Sequence, residues 1–149
     1  MKNRSYSLYL WGTLPFLLGY ILNLMILYVP FLFGFLLIFL NILFLIFWGY
    51  LAYRIALPDR SPWLQALQFN TAGIICLILL MTQRYMLGQY LPNMLGFLPQ
   101  IYFLPSLSAA VTLFHPVLSL ITPVLDTVMG WPLCFLCMFI VSLIGFTKA

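Results

Sequence analysis

The chain has 149 residues, of which 65% are hydrophobic and only 5% charged. A soluble domain is typically about 25% charged, and six Lys/Arg with two acidic residues cannot cover a water-facing surface of this size, so lipid is the expected solvent. The formal net charge of +4 comes from basic residues scattered at segment ends, without the basic, aromatic-interleaved patch that nucleic acid requires.

Lys2 and Arg4 precede an apolar run that continues with little interruption from residue 5 to 53. No A-x-A cleavage site follows, so the run is expected to be kept as helix rather than removed as a signal peptide. As one straight helix it would reach roughly 70 Å, whereas a hydrocarbon core is about 30 Å thick, so the chain must turn back. Pro30 is the best breaker, followed by Gly34, and two spans are predicted at residues 8–29 and 31–53. A competing arrangement lays residues 5–18 in the interface and leaves a single long tilted span.

Arg54 to Pro62 reads RIALPDRSP, the most polar stretch, and its prolines mark a loop. A third span is predicted at 63–82, anchored by Trp63. Residues 85–105 hold Pro92, Pro99, Pro105, Gly88 and Gly96, and are expected to form an irregular interfacial or re-entrant segment, because unpaired amides cannot face lipid at depth. A fourth span at 106–126, a turn at TVMGWP and a fifth span at 133–146 complete the chain. The expected fold is all-α, a polytopic transmembrane helix bundle of about five spans (alternatively four) in a single membrane domain covering residues 1–149. Lys2, Arg4, Arg54 and Arg60 then share one side, with Arg84 and Lys148 opposite, which favours a cytoplasmic N-terminus in a multi-pass protein of the bacterial plasma membrane.

The fourth span carries the most informative pattern. Ser108, Thr112, His115, Ser119, Thr122 and Asp126 recur at alternating steps of four and three, and so fall in a stripe about 80° wide. Pro116 has no N–H for the carbonyl of Thr112, and Pro123 none for that of Ser119, so the polar edge gains acceptors. Such an edge must face other helices or a water-filled cleft. It reads either as a pathway or small-ligand cleft, with His115 near mid-membrane and Asp126 at the cytoplasmic mouth, or as a packing seam of small and hydroxylated residues.

Asn23 and Asn41 lie at similar depths in the first two spans and are candidates for a hydrogen bond across the hairpin. Gln65, Gln68 and Asn70 form a polar face on the third span that serves packing or the same cleft. Cys134 and Cys137 spell C-x-x-C, but in apolar sequence without a neighbouring base or cation to stabilise a thiolate. The chain has one histidine, two aspartates and no glutamate, so no catalytic constellation, metal site or cofactor site is expected. The expected role is a small accessory or subunit protein that packs in the bilayer against partner membrane proteins or copies of itself. An oligomeric transporter or channel for a small solute, ion or proton is the alternative, and a membrane immunity or resistance factor a weaker one.

Overall fold

The computed structural model describes residues 2–29, 34–118 and 127–149, and every regular element among them is an α-helix. These are α1 (Lys2–Trp11), α2 (Leu14–Tyr28), α3 (Phe35–Ile55), α4 (Pro62–Phe69), α5 (Thr71–Leu87), α6 (Met94–Leu118) and α7 (Thr127–Thr147). Four helical runs are long and apolar enough to cross a membrane: Tyr6–Tyr28, Phe35–Ile55, Met94–Pro116 and Met129–Thr147. The α4–α5 pair, bent by 55°, makes a fifth if counted as one broken span. Large side chains on the outside remain apolar, with Phe35 84% and Leu10 72% exposed, as expected of a bundle whose surroundings are acyl chains.

The break between α1 and α2 falls at Gly12 and Thr13, where the Thr13 hydroxyl turns back to the Leu10 carbonyl at 2.8 Å. Gly12 sits against the backbone of Phe69, and a Cβ there would collide with the Phe69 carbonyl. The breaks of the two discontinuous pairs, α1–α2 and α4–α5, thus pack on one another. Around this contact lies the aromatic core. Trp48 stacks on Phe69 at 4.1 Å and on Phe44 at 5.7 Å, and Phe69 meets Phe146 edge-on at 5.7 Å.

Helices α3 and α7 approach closely. Gly49 packs on Val141, and Gly145 lies against Ala52 and the backbone of Gly49 and Tyr53. Residue numbers rise together along this contact, so the two helices run parallel. The short connection between α2 and α3 makes those two antiparallel, so α1 begins at the end where α3 and α7 finish.

Several expected boundaries change. The third span is not continuous over 63–82; it breaks at Phe69–Asn70 and continues to Leu87. The irregular segment expected at 85–105 shrinks to 88–93, because α6 starts at Met94 and passes through Pro99 and Pro105. The helix tolerates Pro99 because the carbonyl it leaves without an N–H, that of Leu95, accepts from Gln83 Nε2 at 2.9 Å. Residues 127–132, expected as a turn, form the start of α7, with Pro132 inside the helix. Lys148 shares the Arg54 end rather than the opposite one, because Lys148 and Tyr53 line one groove and Ala149 and Arg54 line one cavity. The start of α7, which follows Asp126, therefore lies away from that end. The expected bend at Pro30 falls outside the described residues.

Candidate functional site: the outer edge of α6 and its buried polar supports

The polar stripe divides along α6. Ser108 is half-buried, and its backbone N–H donates to Asn41 Oδ1 at 2.8 Å. Beyond it, Thr112 and His115 are exposed on the outside of the chain, beside Leu113, which is 62% exposed. Ser119, Thr122 and Asp126 lie outside the described residues. The first half of the stripe thus leaves the protein interior as it runs along the helix. His115, expected near mid-membrane, falls instead in the last turn of α6 and at the end of the candidate span Met94–Pro116, with Thr112 about one turn further in. A polar group that faces acyl chains finds no donor or acceptor there.

The remaining candidates separate. Asn41 is buried and engages Ser108, so it does not meet Asn23, which is half-buried in α2. Asn70 is buried at the α4–α5 break, and its Nδ2 donates to the Ala66 carbonyl at 2.9 Å and to Ser142 Oγ on α7 at 2.8 Å. The Ser142 hydroxyl in turn donates to the Phe139 carbonyl at 2.9 Å. Gln68 accepts from Arg60 Nη1 at 3.1 Å, a contact with the preceding loop rather than with another span.

Two glutamines form matching clamps. Gln65 is 2% exposed; its Oε1 accepts from Leu57 N at 2.7 Å, while its Nε2 donates to the carbonyls of Leu57 and Arg60 at 2.9 Å. Gln83, 4% exposed, accepts from Leu91 N at 3.0 Å and donates to the Leu95 carbonyl. Each side chain supplies both a donor and an acceptor to a loop that lacks helical partners for its backbone, which is how irregular chain is kept within an apolar protein. A third support comes from α6. The Tyr102 hydroxyl donates at 3.2 Å to the carbonyl of Gly12, at the α1–α2 break.

Gln83 reads from sequence only as a helix end. The signal that would have found its role is Pro99, which marks the Leu95 carbonyl as needing a donor. Ser142 and Tyr102 carry no such signal, because their partners are set by tertiary packing alone.

Three buried polar atoms have no hydrogen-bond partner among the described residues: Asn41 Nδ2, Trp48 Nε1 and Asn70 Oδ1. Cys76, Cys134 and Cys137 are buried free thiols, and no group of three or more metal-ligating side chains occurs among the described residues. The fold and its polar fittings are those of a helical membrane protein, with hydrogen bonds concentrated at helix breaks and loops. Comparison with protein-family models, with curated proteins and with solved structures finds no match to this chain.

Proposed function

We propose that this chain is a small accessory or subunit protein of a membrane, acting by packing within the bilayer against a partner membrane protein or a second copy of itself. The outer edge of α6 is the contact. The observation that carries this reading is the exposure of Thr112 and His115 on a helix long and apolar enough to cross a membrane. A facing helix supplies hydrogen-bonding groups that lipid lacks. The same edge lines a path if several copies enclose it, which is the transporter or channel alternative. The orientation that goes with the proposal has a cytoplasmic N-terminus in a bacterial plasma membrane. It is supported by the convergence of Arg54, Arg60, Lys148 and the start of α1 on one end.

The test is a photocrosslinking amino acid placed at position 115 in native membranes. A discrete protein adduct, lost when Thr112 is replaced by Leu, supports the contact. Labelling of lipid alone overturns it. A homo-oligomeric adduct accompanied by ion or solute flux in liposomes replaces the accessory reading with the channel.

A further inference from the structure

We infer that the chain binds an anionic membrane lipid at the shared end of α3 and α7, with the headgroup phosphate held by Arg54 and Arg60 and an acyl chain lying between the two helices. Two adjoining hollows carry the inference. The first is a cavity of about 440 Å³ whose walls include Arg54, Arg60, Tyr53, Gln65 and Phe146. Its walls hold two guanidinium groups, those of Arg54 and Arg60, together with Ala149, and Asp59 is not among them. The second is a groove of about 480 Å³ along α3 and α7, bounded by Ile46, Gly49, Tyr50, Ile144 and Gly145, with Lys148 at its mouth.

Tyr53 lines both hollows, so the cationic cavity and the apolar groove lie side by side. A charged compartment beside an apolar one matches the division of a phospholipid into headgroup and tail. Gly49 and Gly145 let α3 and α7 pack closely beside the groove they line. Arg60 is held in place by its bond to Gln68 and by the Gln65 clamp on its carbonyl. Arg54 is exposed on the last turn of α3. A guanidinium presents paired N–H groups that fit phosphate oxygens. Basic pockets between helices at the cytoplasmic side are a recurring headgroup site. The inference depends on the chain lying in a membrane and is independent of any partner at α6.

The experiment is native mass spectrometry of the full chain in detergent, with dioleoyl-phosphatidylglycerol and dioleoyl-phosphatidylcholine supplied at equal concentration. Preferential retention of phosphatidylglycerol is expected. The Arg54→Gln variant should reduce that preference about fivefold, with a similar further loss in Arg54→Gln/Arg60→Gln. Arg54→Lys should retain most of it. Ile46→Trp, which narrows the groove at an exposed position, should weaken both lipids while leaving the preference between them. Equal retention of the two lipids by the unaltered chain overturns the proposal. So does competition by free glycerol phosphate as strong as that by whole lipid, which assigns the cavity to a soluble phosphate. Should the double variant fold poorly, Arg54→Gln alone decides: an unchanged preference overturns the site.

Discussion

Asn70 Nδ2 donates to Ser142 Oγ at 2.8 Å, tying the break between α4 and α5 to the C-terminal half of α7. The two residues are 72 positions apart, and both are buried. Interhelical hydrogen bonds of this kind average about 0.6 kcal/mol and reach about 1.7 kcal/mol. In a double-mutant cycle, Asn70→Ala and Ser142→Ala should therefore couple by roughly 0.6–1.7 kcal/mol. Reversible unfolding in mixed detergent micelles gives the coupling, and strictly additive effects would show that the bond contributes nothing. Asn70→Ala alone should cost more than Ser142→Ala, because it also removes the bond to the Ala66 carbonyl at the break.

The Gln83 clamp leads to a sharper test. Gln83→Leu leaves Leu91 N–H and the Leu95 carbonyl, both in part-buried hydrogen bonds, without their partner, an expected loss of about 0.5–1.5 kcal/mol for each. Pro99→Ala restores a helical N–H that can reach the Leu95 carbonyl. The penalty of Gln83→Leu should therefore be smaller in the Pro99→Ala background than in the unaltered chain. Thermal unfolding of the four proteins in detergent reads this directly, and an equal or larger penalty with Pro99→Ala would separate the glutamine from the proline.

The all-helical membrane class and a count of four to five spanning-length helices were legible in the sequence because both depend on composition and length, whereas the choice between four and five was not. Helix boundaries were less so, and α6 shows why. Pro99 and Pro105 break helices in water-soluble contexts, and reading them that way makes residues 94–105 irregular. In the fold the helix continues through both prolines, and the Leu95 carbonyl that Pro99 leaves without an N–H is supplied by Gln83. Periodicity along one segment carries no information about a donor on another. The same limit affects the stripe. Its spacing placed Ser108, Thr112 and His115 on one edge, but which neighbour covers that edge depends on the tilt of α6, and only Ser108 meets α3.

The approach of α3 to α7 should be intolerant of added bulk. Gly145→Val forces its side chain into the Gly49 carbonyl and the Ala52 side chain, and overpacking of this kind costs typically about 1–3 kcal/mol. Ile144→Val, one residue away on an exposed position, should change stability by no more than about 0.5 kcal/mol. Unfolding midpoints of the two variants provide the comparison. Similar losses would mean that the helices do not pack through the glycine face.

The outer edge of α6 should behave in the opposite way to the buried supports. Thr112 and His115 are exposed and make no side-chain hydrogen bond among the described residues, so replacing both by Leu removes no hydrogen bond among them. The isolated chain should keep its stability within about 0.5 kcal/mol, or gain slightly, since two polar groups leave the detergent-covered surface. Association with a partner should fall, because a facing helix would lose its polar contacts. A packing seam internal to the chain predicts the reverse, with stability lost and association unaffected. Unfolding in detergent and pull-down from native membranes, carried out on the same Thr112→Leu/His115→Leu protein, separate the two. A stable variant that still assembles fully would remove α6 as the docking edge.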